Sequence, residues 1–183
     1  MLRASLPFAV AAAAVVTAAT LSADVPGSQI PPALDDPTIV AIFDAANTFD
    51  IEAGQLAAGR SKDQGTLALA QHFIHDHTAV RQQGRDLAAK LGVKPTPPAD
   101  FALAREHAAA MAELKGKTGA EFDRAYVAHE VAFHQAVIDA LKTTLIPAIG
   151  NAELKTFVSK VEPAFEGHLA AARALAEKLE ART

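Results

Sequence analysis

The chain has seven histidines and no cysteine, so any metal centre in it must be built from imidazole and carboxylate. Thiolate metal sites, thiol catalysis and covalent c-type haem are excluded. Turning each residue by ~100° along a helix separates the histidines against the apolar stripes. His77 falls in line with Thr66, Ala70, Phe73, Val80, Gly84 and Ala88. His134 falls in line with Val127, Ile138, Leu141 and Leu145, and His168 sits among Phe157, Val161, Ala164, Ala171, Ala172 and Leu175. His72, His75 and His129 turn away from those faces, and the pair His75 and His77 is discounted because residues two apart on a helix look in different directions. Asp50 continues the row Ile39, Phe43, Ala46, whereas Glu52 joins Thr48 and Gln55 on the polar side and is read as solvated.

A lone core histidine is ordinarily satisfied by a backbone carbonyl. An unpaired buried aspartate, by contrast, costs several kcal/mol, so Asp50 requires a partner. Three imidazoles and one carboxylate, each from a different helix and all inward, predict a metal site made of Asp50, His77, His134 and His168. Glu130, one turn before His134, is a reserve carboxylate. These donors suit Zn(II), Cu(II), Fe(II) or Ni(II) and disfavour Mg(II) and Ca(II). One divalent transition metal, Zn, Cu or Fe, is the expected cofactor. No Glu-x-x-His stands at an inward position, so a coupled di-iron centre is not expected.

Axial level is less favourable. At ~1.5 Å per residue Asp50 lies about 12 Å from the turn after the first helix and His77 about 22 Å, although side chains leaning toward the helix N-terminus bring the two together. Asp50 is thus either a direct ligand or a group that orients an imidazole. His134 and His168 both fall ~20–25 Å from the break between their helices.

Four long helices must carry these residues. The first is expected to start with Asp36 as N-cap and Pro37 at the first helical position, and to bury Ile39, Phe43, Ala46, Ala53 and Ala57 up to Gly59. Ser61 and Gln64 form a capping-box pattern for the second, whose stripe is Leu69, Phe73, Val80, Leu87 and Leu91, closed by Gly92. A stiff segment, Val93 to Asp100, and a short helix, Phe101 to Leu114, lead to a second box at Thr118 and Glu121. The third long helix buries Val127, Val131, Ile138, Leu141 and Leu145 before a break at Pro147 to Asn151. The fourth spans Ala152 to Glu180, burying Leu154, Phe157, Val161, Phe165, Leu175 and Leu179, with Pro163 predicting a kink before His168. One long connection between the second and third makes the expected fold an all-α, ferritin-like four-helix bundle with a crossover containing a short helix. Small residues such as Gly84, Ala88, Ala171 and Ala172 suit close helix packing; the alternative is a cavity for a ligand or bis-histidine haem.

The beginning of the chain reads differently. Residues 1–23 carry one cation at Arg3, a weakly apolar alanine-rich run, and small residues at Ser22 and Ala23, the order of a secretory signal. The run is shorter and less apolar than the ~20 residues a membrane span requires. The expected organisation is a signal peptide over 1–23, an extended leader over 24–35 and a bundle domain over 36–183, in the periplasm or secreted. The net charge of −4 is interspersed and becomes one unit more negative without Arg3. No nucleic-acid partner and no stable membrane insertion of the mature domain are expected.

The segments Asp50-Ile51-Glu52-Ala53-Gly54-Gln55-Leu56-Ala57, Asp76-His77, Phe122-Asp123 with Tyr126 and His134, and Pro163 with His168-Leu169 together resemble the bacterial ferritin-like family of domain of unknown function 4142. The resemblance spans roughly residues 38 to 179 and implies an exported four-helix bundle. That family usually has glutamate where this chain has Asp50, and often glutamine where it has Glu130.

Three functions compete on these grounds. The first is an exported protein that sequesters or buffers one transition-metal ion through inward histidines. The second is a metal-free structural or stress-related envelope bundle whose histidines are core hydrogen-bonders. The third, a metal-dependent oxidoreductase, needs an open coordination position, and no catalytic residue is assigned.

Overall fold

The computed structural model describes residues 34–182; the signal segment expected over 1–23 and residues 24–33 of the expected leader lie outside them. Its long helices are α1 (Asp36–Arg60), α2 (Gln64–Leu91), α4 (Gly119–Ala140) and α6 (Ala152–Glu180), with a short α3 (Ala102–Lys115) in the crossover. α4 passes into a π-helical stretch, Leu141–Leu145, and then the single turn α5 (Ile146–Ala148). Pro147 has no N–H to continue the ladder, and the widened turn instead bonds Ile146 N to Leu141 O while keeping Leu141 and Leu145 buried.

Two antiparallel pairs, α1 with α2 and α4 with α6, pack through α2 against α6 and α1 against α4. Ser61, just before α2, donates to Asp123 Oδ1 near the start of α4 at 2.5 Å, and Arg60 Nη1 donates to the Lys115 and Lys117 carbonyls. α2 and α4 therefore start at the same end and run parallel, so the crossover must return along the whole bundle. That is the ferritin-like connection read from the sequence. At the other end both Asp36 carboxylate oxygens accept from the backbone N–H groups of Gly150 and Asn151, at 2.8 and 2.9 Å.

The caps differ from the sequence reading by one or two residues. Asp35, not Asp36, caps α1 by accepting from Thr38 N, and Asp63, not Ser61, caps α2 by accepting from Thr66 N. Asp36 and Ser61 are engaged in the long-range bonds just described, which local pattern does not reveal. Thr118 is the N-cap of α4 but its side chain makes no capping bond; Glu121 pairs with Lys117 instead. Gly92 closes α2 in the left-handed region, with φ of 65°, as expected. α6 runs on through Pro163 without a break.

Two apolar clusters fill the bundle. One gathers Ile39, Phe43, Ile138, Leu141, Leu154, Val158 and Phe165 toward the α1 N-terminus, and the other Ala57, Phe73, Phe122, Tyr126, Val127, Leu175 and Leu179 toward the α1 C-terminus. Between these clusters every long helix buries at least one polar or ionisable residue: Asn47 and Asp50, His77, Glu130 and His134, and His168. α1 and α2 approach closely at this level, since a Cβ on Gly54 would stand 2.9 Å from Ile74 Cγ1 and 3.2 Å from the Ala70 carbonyl. Burying ionisable groups is unfavourable, so the apolar clusters on either side must offset this layer.

Candidate metal centre

All five residues singled out in the sequence lie in that layer and are nearly inaccessible: Asp50 2%, His77 1%, Glu130 0%, His134 0% and His168 5% exposed. The Phe73 ring, itself fully buried, packs 4.8 Å from His134 and 4.7 Å from His168, and Phe165 lies 5.3 Å from His77. The apolar walls strengthen every electrostatic interaction inside.

One ring nitrogen from each of His77, His134 and His168 lies within 4.8 Å of the others. The hydrogen bonds around the triad determine where its protons sit. Asn47 Nδ2 donates to the Phe43 carbonyl at 2.8 Å, which turns Asn47 Oδ1 toward His77 Nδ1 at 3.0 Å. An amide oxygen only accepts, so His77 carries its proton on Nδ1. His134 Nδ1 donates to the Glu130 carbonyl at 3.0 Å, and His168 Nε2 donates to Asp76 Oδ2 at 3.1 Å. The nitrogens left with lone pairs are His77 Nε2, His134 Nε2 and His168 Nδ1. Two of these, His77 Nε2 and His168 Nδ1, stand 3.2 Å apart, and His134 Nε2 is buried without any hydrogen-bond partner. Nitrogen ligands about 2.1 Å from a tetrahedral ion are ~3.4 Å from one another, so one pair already has the right separation. Each ring is also held from behind by an acceptor, as ligating histidines usually are.

Burial pushes the His77 pKa well below the ordinary imidazole range, and the neighbouring imidazoles of His134, His168 and His72 oppose a second positive charge there. Burial lowers His134 to about 4, against which the Glu130 carbonyl works, and lowers His168 despite Asp76. The rings are thus neutral and ligand-ready near pH 7.

Asp50 and Glu130 form the other half of the layer. Asp50 approaches Nδ1 of both His77 and His134, at 3.6 and 3.9 Å, and Glu130 Oε2 is 3.5 Å from His134 Nδ1. These are the nitrogens that already hold protons, so Asp50 stands behind the imidazoles and away from their lone pairs. The ~10 Å axial offset expected from helix rise does not keep it from His77. Among the described residues no lysine or arginine pairs with either carboxylate, and none of their four oxygens has a hydrogen-bond donor. Burial, then the charge of Glu130, raises the Asp50 pKa well above the carboxylate range. Burial pushes Glu130 up to about 7, with Asp50 and Tyr126 acting against it. Near neutral pH the pair therefore holds protons rather than two negative charges, within reach of the triad.

Sequence reasoning missed two participants, Asn47 and Asp76, and one further buried histidine, His107, outside the layer. Asn47 had a signal, since it continues the buried row from Phe43 to Asp50. Asp76 stood beside His77 in a family-like segment, but only its packing opposite α6 brings it to His168. His107 is buried on α3, stacked 4.2 Å from Phe49, and its Nε2 meets Glu52 Oε2 at 2.8 Å. Glu52, expected to be simply solvated, is thus half-exposed and engaged with His107. The cavity that touches the histidines, about 130 Å³, is far too small for haem. Gly84 takes the edge of the Phe43 ring 3.4 Å from where its Cβ would be, which is the close-packing use of a small residue. A larger apolar groove, between Ile39, Phe43, Ala88 and Phe157, contains no histidine.

A family model described as "Domain of unknown function (DUF4142)" matches residues 22–175. No protein with a curated description matches the chain. Among solved structures, the one titled "CopM in the Cu(II)-bound form" is similar with a TM-score of 0.60 at 12% identity, over 79% of this chain and 98% of that one. At that identity the likeness concerns the fold. No described helix is long and apolar enough to cross a membrane.

Proposed function

The chain belongs to the DUF4142 family, and from that membership and the buried histidine layer we propose that it is an exported protein that binds one divalent transition-metal ion, for sequestration or buffering. His77, His134 and His168 are its ligands. Asp50 and Glu130 orient the imidazoles and balance the ion's charge. The observation that carries this reading is the convergence of one ring nitrogen from each of His77, His134 and His168 within 4.8 Å, with His77 Nε2 and His168 Nδ1 only 3.2 Å apart, a separation that suits two ligands of one cation. Imidazole donors favour Cu, Zn or Fe, and the Cu(II) named for CopM supports copper as the first ion to try. The composition of residues 1–23 supports export.

Full-length protein should be expressed without a histidine tag, recovered from the periplasmic fraction, stripped, and dialysed against Cu(II) or Zn(II). The expected result is close to one ion per chain by elemental analysis, with an N-terminus at Asp24. Free ion at ~100 times Kd stabilises by about 3 kcal/mol, or roughly 5–10 °C in melting temperature for a domain of this size. No retained metal after attempted reloading, with no thermal shift, rejects the reading in favour of a metal-free bundle.

Asn47→Ala removes the acceptor that holds the His77 tautomer. Metal affinity is expected to fall by about 10–100-fold, the usual effect of losing such a partner, as measured by competition with a chromogenic chelator. Unchanged affinity would mean that Asn47 does not set the His77 tautomer.

A further inference from the structure

His168 faces two ways. Its Nδ1 looks inward to His77 Nε2 at 3.2 Å, while its Nε2 looks outward to Asp76 Oδ2 at 3.1 Å. Beyond Asp76, on the same turn of α2, His72 Nε2 lies 3.7 Å from that carboxylate oxygen, and its ring stands edge-on to His168 at 5.2 Å. Exposure falls along this line, from 54% for the His72 side chain to 33% for Asp76 and 6% for His168. One ligand atom from each of the three lies within 4.8 Å of the others. Independently, the cavity of about 130 Å³ between α2 and α6 is lined by Asp76, His77, Val80, Phe165 and His168, with the exposed Ala79 and Ala164 at its rim. It brings the surface between α2 and α6 up against His77 and His168, with Asp76 shared between the cavity and the His72 cluster.

We propose that His72, Asp76 and His168 form a second, surface-accessible site that captures a divalent transition-metal ion and hands it to the buried triad. The proposal rests on the metal-binding reading above. Imidazole, carboxylate and imidazole are good donors for Cu(II) or Zn(II), and Asp76 adds the negative charge that the neutral inner triad lacks. Handover occurs at the His168 ring. An ion on the outer site uses the Nε2 lone pair, with the ring proton on Nδ1 donated to His77. An ion on the inner site uses Nδ1, with the proton on Nε2 donated to Asp76. The ring exchanges one proton with solvent between the two arrangements and stays neutral, so its two faces are not ligated together and the chain retains one ion.

A capture site ahead of the buried triad accelerates loading and release alike and leaves the final affinity alone. The experiment mixes the metal-free full chain with Cu(II) alone in a stopped-flow instrument and follows the copper–imidazole absorption. The wild type is compared with His72→Ala and with His75→Ala, an exposed substitution outside the cluster. His72→Ala is expected to load and to release to a chelator about tenfold more slowly, a common barrier change in both directions, with equilibrium affinity and stoichiometry unchanged. His75→Ala is expected to behave as wild type. A His72→Ala protein that loads at the wild-type rate, or that changes affinity without changing rate, overturns the capture site. A wild type that takes up no copper at all overturns instead the reading on which it rests.

Discussion

Replacing His77 and His134 together by alanine is expected to abolish stoichiometric metal binding. Apparent binding free energies of ~10 kcal/mol or more are shared among few ligands in sites of this kind. With two of three imidazoles gone, an affinity loss of at least ~1000-fold follows, or about 4 kcal/mol. Isothermal titration with Cu(II) and Zn(II), and elemental analysis after dialysis, measure it. Both rings are buried, at 1% and 0% exposure, so the variant also loses packing and two hydrogen bonds. Large-to-small core changes cost about 2–5 kcal/mol, and far-UV circular dichroism at low temperature must show that the bundle persists. The discriminating quantity is the metal-induced rise in melting temperature, which is expected to vanish in the variant. A double variant that folds and still binds one ion per chain would remove the buried triad from the site.

Glu130→Gln is expected to stabilise the metal-free protein at pH 8 and to leave it unchanged at pH 4. Glu130 is fully buried and its pKa is raised to about 7 from the ordinary 4.5, first by burial. Between those values the folded state holds a proton that the unfolded state has released, so stability falls as pH rises from about 4.5 through about 7. Above that window the buried carboxylate costs on the order of 3 kcal/mol, which the neutral amide avoids. The variant should therefore melt about 6–12 °C higher than wild type at pH 8 without metal. The histidines titrate in the opposite sense. Their folded pKa values are depressed, His134 to about 4, so stability from that source is lost as pH falls below about 6.5. Comparing the variant with wild type at each pH cancels that background. With bound metal the advantage of glutamine should shrink, because the ion's charge stabilises the wild-type carboxylate. Equal melting temperatures at pH 8 for the two metal-free proteins would contradict an uncompensated charge at Glu130.

Much of the bundle was legible because its signals are local. The inward rows of α1, α4 and α6 follow from the 3.6-residue period, and Gly92 and Gly116 mark where α2 and α3 stop. The capping errors at Asp36 and Ser61 have a shared cause. Each of the two helix starts has two candidate caps, Asp35 or Asp36 and Ser61 or Asp63, and long-range bonds to Gly150, Asn151 and Asp123 decided between them. The axial offset between Asp50 and His77 was overstated partly because α1 continues to Arg60, beyond the glycine where it was expected to end. Leaning side chains close much of the remainder.

From sequence alone the chain's helices, its crossover and the inward position of Asp50, Glu130, His77, His134 and His168 could be derived, because a helix turns each residue by a constant angle and apolar neighbours mark the buried side. Which nitrogen of each imidazole keeps its proton could not. That depends on Asn47, on Asp76 and on the Glu130 carbonyl, acceptors whose distance from the rings is set by how α1, α2, α4 and α6 pack. A hydrogen bond forms or fails within a few tenths of an ångström, far finer than any helical angle read from residue spacing, so the lone pairs that face one another in the bundle's centre belong to the tertiary structure.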